Sequence, residues 1–175
     1  MRNSACLLLS AAGLLMNGCS EPAPRPVSTY LMGEKVQLGH LSYTVFETQW
    51  LTHLGSDGPT ARVPQNRFFL IRLSAVNTGS NEASVPNVTI ADDHGHVYDE
   101  VSNGEGVPQW AGYLRTAKPA DSVQGNIVFD APPGHYKLKL LDETGAKAGL
   151  IDIPLSFGAE TPEVVAPGEK PGEKL

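Results

Sequence analysis

Arg67-Phe-Phe-Leu-Ile-Arg-Leu-Ser-Ala-Val-Asn-Thr-Gly79 is the stretch that decides the architecture. Drawn out as extended chain, Phe69, Ile71, Leu73 and Ala75 project to one side, while Arg72 and Ser74 project to the other. That period of two belongs to a strand with one buried face. A helix would need apolar residues three and four apart, and Arg72 and Ser74 would interrupt its stripe. Phe68 and Leu70 are apolar where the outer face should be polar, so the start of the strand is expected to be covered on both sides. The run closes at Asn77-Thr78-Gly79, where Asn and Gly accept a turned backbone that a β-branched residue resists. Burying each of the three large inward side chains is worth roughly 1.5–3 kcal/mol, which makes this a core strand.

On the N-terminal side, Val36 to Leu38 and Leu41 to Leu51 read as extended, with Gly39-His40 expected to kink or bulge the chain between them. Thr52 to Gln65 carries Gly55-Ser-Asp-Gly58-Pro59 and Pro64 and reads as a long, flexible loop. On the C-terminal side, Ala83 to Ala91 reads as a strand, with Pro86 placing it at an edge or delaying its start. Asp92-Asp-His-Gly95 is a turn signal, and His96 to Val101 returns as the hairpin partner. Val107 to Leu114, which holds Trp110 and Tyr113, fits no regular element, and Ala117 to Ser122 reads as a turn. Val123 to Asp130, Tyr136 to Leu140 and Gly149 to Leu155 complete the set, separated by Pro132-Pro-Gly134 and Asp142-Glu-Thr-Gly145. Seven or eight strands without a convincing helix predict an antiparallel β-sandwich over residues 35–156.

The two ends read differently. Residues 1–18 contain Arg2, an apolar run from Ala5 to Met16, and Asn17-Gly18 ahead of Cys19. The run is too short to span a bilayer and reads as a signal-peptide core. A small residue directly before a cysteine, with no Ala-x-Ala site, resembles the lipobox of bacterial lipoproteins, although Met16 stands where that motif usually has Leu. The resemblance implies that Cys19 becomes the first mature residue and carries a diacylglyceryl group and an N-acyl chain. One acyl chain binds membranes only marginally, but three together hold almost permanently. Ser20, in place of Asp, favours the outer membrane facing the periplasm if the source is Gram-negative. Residues 19–34 read as a tether, because proline recurs at Pro22, Pro24 and Pro26. Residues 157–175 repeat Pro-Gly-Glu-Lys and are too polar to offset the entropy of ordering.

Three further matches, taken in order, make the domain resemble the telokin-like, immunoglobulin-type DUF4352 domains of exported bacterial proteins. The first is the strand ending in Val76-Asn-Thr-Gly79, and the second is Asp92-x-x-Gly95 followed by Tyr98. The third is Lys118-Pro-Ala-Asp-Ser122, then Gly125 and Val128-Phe-Asp-Ala-Pro132 ahead of a Tyr-x-Leu strand. The family more often has Gly where this chain has Ala120. The resemblance implies an immunoglobulin-like sandwich on exported or anchored proteins and no general activity.

Composition narrows the task. The net charge is −6, and removal of residues 1–18 takes away Arg2 and no acid. Such a surface repels phosphate backbones and anionic lipid, which argues against nucleic-acid binding and against attachment through a basic patch. Of the two cysteines, Cys6 lies in the leader and Cys19 in the lipobox, so no thiol nucleophile, disulfide or cysteine metal site is expected in the mature domain. No Gly-x-Ser-x-Gly elbow is present, and His40, His53 and His135 are dispersed; an enzyme is not expected. Apart from the covalent lipid, no cofactor is expected.

Two candidate sites remain. Asp92, His94 and His96, with Asp93, Asp99 and Glu100 nearby, offer the imidazole and carboxylate donors that a divalent cation takes. On a hairpin, however, His94 and His96 would share one face while Asp93 points away, and a polar turn closed by Asp and Gly is the simpler reading. Trp110 and Tyr113, on an irregular segment behind Gly104, Gly106 and Pro108, suit a partner-binding patch if they are exposed and core if they are not. The leading expectation is a lipid-anchored, non-catalytic interaction module with an envelope protein partner. The alternative is a metal- or small-ligand-binding lipoprotein that uses the Asp92–Glu100 hairpin.

Overall fold

The computed structural model describes residues 27–55 and 60–155. The leader, Cys19, the start of the proline-rich stretch, residues 56–59 and the Pro-Gly-Glu-Lys tail lie outside the described residues. The long hydrophobic run is β4 (Arg67–Asn77). It lies in an antiparallel four-stranded sheet between β3 (Leu41–Leu51) and β9 (Ser122–Ala131), with β2 (Val36–Leu38) outside β3. The facing sheet runs β1 (Thr29–Leu31), β11 (Ala148–Ile153), β10 (Tyr136–Leu141), β6 (Thr89–Asp92) and β7 (Val97–Asp99). A ribbon of β5 (Ala83–Val85) and β8 (Arg115–Ala117) packs against both. Among the described residues there is no helix. The fold is therefore an immunoglobulin-like antiparallel β-sandwich, and the strands beyond the seven or eight expected are short ones of three residues.

Period-2 burial builds the interior. Phe69, Ile71, Leu73 and Ala75 of β4 meet Ile127 and Phe129 of β9, and Leu138 and Leu140 of β10 close from the opposite sheet. Lys137 and Lys139 alternate with these and remain exposed. Tyr136, at the head of β10, packs beside Phe69 and Tyr98 and donates its hydroxyl proton to the Pro132 carbonyl, four residues back. A tyrosine bonding to its own upstream turn is the corner device of immunoglobulin-type sandwiches. Burial pushes its pKa up to about 12.

The outer face of β4 carries the expected second cover. Phe68 and Leu70, with Val128 of β9, pack under Leu54 and Val107, which come from two different connecting segments. Arg62 locks this lid. Its Nη1 donates to the Asn103 and Glu105 carbonyls at 2.8 and 2.9 Å, and its guanidinium lies over the Phe68 ring. Thus part of what reads as a flexible loop is a wall of a second small core.

Three local readings need correction. Gly39-His40 makes a two-residue hairpin turn between β2 and β3, with Gly39 at φ 56 and Leu38 paired to Leu41. The irregularity in β3 lies instead between Val45 and Glu47, where Phe46 is left out of the register and is exposed. Ala83 to Ala91 divides at Pro86: the prolyl nitrogen cannot donate to a ladder, and the chain there crosses from the β5–β8 ribbon to the larger sheet. Finally, Thr29–Leu31 pairs in parallel with β11, so the sandwich begins inside the stretch assigned to the tether.

Asn77 also proves to be more than a residue tolerant of turning. It is buried, its Nδ2 donates to the Asn81 and Ala117 carbonyls at 2.7 and 2.9 Å, and its Oδ1 accepts from Gly79 N at 2.8 Å. Its backbone joins the Lys118–Asp121 turn, with Asn77 O accepting from Ala120 N and Asn77 N donating to Asp121 O. In that turn Ala120 sits at φ 61, the conformation that glycine would take at no steric cost. A left-handed L-residue costs about 1–2 kcal/mol, and glycine's greater freedom in the unfolded chain returns part of this. Ala120→Gly is therefore expected to raise stability by about 0.5–1 kcal/mol in urea denaturation. A loss of stability would contradict the left-handed assignment.

Candidate functional site

The Asp92–His96 turn closes on itself. Asp92 N donates to His96 O, and Gly95, at φ 86, donates to Asp92 O. The Asp92 carboxylate then accepts from three directions: Oδ1 from His94 N and His96 N, both at 2.9 Å, and Oδ2 at 2.8 Å from the His96 ring Nδ1. Burial opposes its ionisation, but the hydrogen bonds from His96 and His94 outweigh this and hold its pKa below the usual carboxylate range. The His94 and His96 rings lie near each other, with centroids 6.2 Å apart. Asp92, however, is already spent on the turn. Among the described residues no three histidine, cysteine or acidic side chains converge as metal ligands.

Glu100, also grouped with this hairpin, faces elsewhere. It receives Arg115 from β8 in a two-pronged ion pair at 2.8 and 2.9 Å, with both side chains buried. Arg115 further donates to the Pro86 carbonyl and to Asn87 Oδ1. Burial pushes the Glu100 carboxyl upward against the pull of Arg115. Removing one partner from such a pair strands a buried charge, at a cost of about 3–5 kcal/mol. The pair staples the β6–β7 hairpin to the β5–β8 ribbon and is not a ligand set.

A histidine that reads as dispersed in the sequence does join a cluster. His135, from the Pro132-Pro133-Gly134 turn, places Nδ1 2.9 Å from Asp93 and Nε2 2.9 Å from Asp152 of β11. A carboxylate at each nitrogen is best satisfied when both donate, so the arrangement favours the imidazolium form. Its pKa is raised, mainly by the Asp93 bond, against some desolvation and with help from Asp152. Nothing in the local sequence marks this, because Asp93, His135 and Asp152 meet only through strand pairing. The cleft between His94 and His135 measures about 240 Å³, below the roughly 300 Å³ at which small-molecule sites begin. A larger cleft of about 490 Å³ beside β1 has Lys147 as its one charged wall and no convergent polar groups.

The aromatic segment is the better-built surface. Residues 109–111 run alongside β9: Asn126 N donates to Gln109 O, Ala111 N donates to Asn126 O, and Asn126 Nδ2 donates to Pro108 O at 2.7 Å. A side chain at Gly125 would collide with Gln109 and Ala111, so glycine is what lets the segment approach. Trp110 rests against Gly104, where a Cβ would fall inside the indole, and stays 37% exposed. Tyr113 is half-buried, and Leu114 is 93% exposed. By contrast, Trp50 stacks on Phe69 at 4.1 Å as part of the core edge.

The family described as a domain of unknown function (DUF4352) matches residues 30–149. The chain belongs to that family. No functionally curated protein matches its sequence. The fold is similar to the crystal structure of the yjhA protein from Bacillus subtilis, at 18% identity and a TM-score of 0.55, covering 71% of this chain and 98% of that one. It is also similar to a β-sandwich protein from Clostridium difficile, at 12% identity and a TM-score of 0.52, over 76% and 98% of the two chains. A candidate lipoprotein, ycdA of Bacillus subtilis, matches at 15% identity and a TM-score of 0.51, over 69% of this chain and 38% of that one.

The His135 cluster generates a pH dependence with a definite sign. Its folded pKa is raised above 6.5, so its contribution is complete below the unfolded value and is lost as pH rises through the folded one. Because the ring is about one-third exposed, the effect is expected to stay under about 1 kcal/mol. Urea midpoints of the wild type should fall between about pH 6 and pH 8 by more than those of His135→Gln. Parallel pH profiles of the two proteins would remove the cluster from the account.

Proposed function

We propose that this protein is a lipid-anchored, extracytoplasmic, non-catalytic module that docks an envelope protein partner through residues 110–114. The observation that carries the docking surface is Leu114, almost fully exposed with Trp110 and Tyr113 near it in the chain, and held between residues 109–111, which bond to β9, and the start of β8 at Arg115. An exposed apolar residue on a fixed segment loses little conformational entropy on binding, which is the economy of a preorganised contact. The anchor rests on Gly18-Cys19 behind the apolar leader, and the likeness to a candidate lipoprotein supports the same placement. Ser20 favours a periplasm-facing outer-membrane position if the cell is Gram-negative.

The hairpin reading has less support. Asp92 is committed to its own turn and to the His96 ring, and Glu100 to Arg115, so among the described residues no third ligand converges on His94 and His96. Catalysis has no observed constellation to build on among the described residues.

Fractionation tests the anchor. Wild-type protein is expected in the membrane pellet after a carbonate wash, and Cys19→Ala in the soluble fraction. If Cys19→Ala stays with the membranes, the anchor is wrong.

A further inference from the structure

The outer face of the β3–β4–β9 sheet is covered at one end by the Leu54–Val107 lid and is open below it. In the first open row, Glu47 pairs with Arg72, Arg72 with Asn126, and Asn126 with Trp110 in the adjoining segment. Antiparallel register partners present their side chains on the same face of a sheet, so Glu47, Arg72 and Asn126 stand side by side, and the backbone of Trp110 pairs next to Asn126. Gln49 and Leu70 lie one row up; with Glu47, Thr48 and Asn126 they line a groove of about 340 Å³, which Arg72 and Trp110 adjoin through their pairing with these residues.

The hydrogen-bonding groups of this row are largely unspent. Arg72 Nη1 reaches Glu47 Oε1 at 3.3 Å, an exposed pair worth at most about 1 kcal/mol to folding. Asn126 uses one N–H on the Pro108 carbonyl and keeps its Oδ1 and second N–H. The Gln49 amide is exposed, and it bonds to no other described residue. Donors and acceptors thus alternate at the strand spacing of about 4.8 Å, close to the advance of one pyranose ring along a β-1,4-linked chain. At the end of the row Trp110 is braced on Gly104 and keeps an exposed indole surface. The negative face of such a ring attracts polarised C–H groups like those on the flat side of a sugar.

We infer that this groove is a binding site for a neutral glycan chain, with Glu47, Gln49, Arg72 and Asn126 taking the hydroxyls and Trp110 taking the face of one ring. Charge selects the class: one carboxylate and one guanidinium cancel in the row, while the whole chain at −6 repels anionic ligands. The wall is polar except for Leu70, so it suits hydroxyls better than an apolar protein face. The volume falls within the range of about 300–1,000 Å³ typical of ligand sites. This site shares Trp110 with the docking surface at residues 110–114, goes beyond it in its other residues, and does not require the anchor.

The test is an NMR titration of the full chain carrying Cys19→Ala, which keeps it free of lipid, with chitotetraose and with cellotetraose. Saturable shifts are expected at the amides of Glu47, Gln49 and Asn126 and at the Trp110 indole N–H with at least one sugar. Gln49→Ala, whose side chain holds nothing in the fold, should weaken binding several-fold, and Trp110→Ala about tenfold, a loss of about 1.4 kcal/mol. Leu114→Ala should bind the sugar as the wild type does, which separates this groove from the protein-docking surface. Either of two results overturns the inference: no shift with either sugar up to its solubility limit, or shifts that Gln49→Ala leaves unchanged. A protein crosslinked at position 114 without any sugar binding would leave the docking surface standing and remove the groove.

Discussion

Burial of both faces of one strand is the constraint on which the sandwich rests. Phe69, Ile71 and Leu73 point into the space between the sheets, while Phe68 and Leu70 point the other way, under Leu54 and Val107. A strand with apolar residues on both faces cannot stay at a surface, because either face would leave several large side chains in water. It therefore takes an interior lane of its sheet, and the connecting segments fold back over it. Where the outer face turns polar, at Arg72 and Ser74, that cover stops. The boundary between covered and open sheet is thus written in the alternation of β4 itself, and the groove occupies the open side.

Buried polar groups then fix the ends. Asn77 is inaccessible to solvent, yet its side chain makes three hydrogen bonds and its backbone two more to the Lys118–Asp121 turn. An unsatisfied buried amide would cost about 1–3 kcal/mol per group, so these bonds hold β4, β8 and the turn before β9 in one arrangement. The Glu100–Arg115 pair does the same between the ribbon and the β6–β7 hairpin. Both devices place a polar residue at the close of an apolar strand or hairpin, where packing alone would allow a slipped register.

What the sequence made legible follows from locality. β3 and β4 were readable because their period-2 patterns are long, and Phe68 and Leu70 announced a second cover by violating the alternation. The DUF4352 resemblance covered nearly the span that the family match gives. Non-local pairings were not legible. β1 is three residues long and ordinary in composition; it becomes a strand only because β11 offers a parallel edge. Arg115 carried no signal, since its partner Glu100 lies beyond an irregular segment. His135 looked like a strand-end residue until Asp93 arrived from the β6–β7 turn and Asp152 from β11. Of the two candidate sites, the aromatic one keeps Trp110 37% exposed and Tyr113 half-buried, whereas Asp92 of the hairpin was drawn into capping its own turn.

Two-faced burial of β4 requires the loop-borne lid to be core. Leu54 lies in a segment rich in turn residues and is only 2% exposed, against Phe68 and Leu70. The most direct measurement is the unfolding free energy of Leu54→Ala in urea. Two-faced burial of β4 predicts a loss of about 2–4 kcal/mol, the scale of a core leucine. A change within about 0.5 kcal/mol, as at an ordinary surface position, would mean that the lid does not bury the outer face of β4.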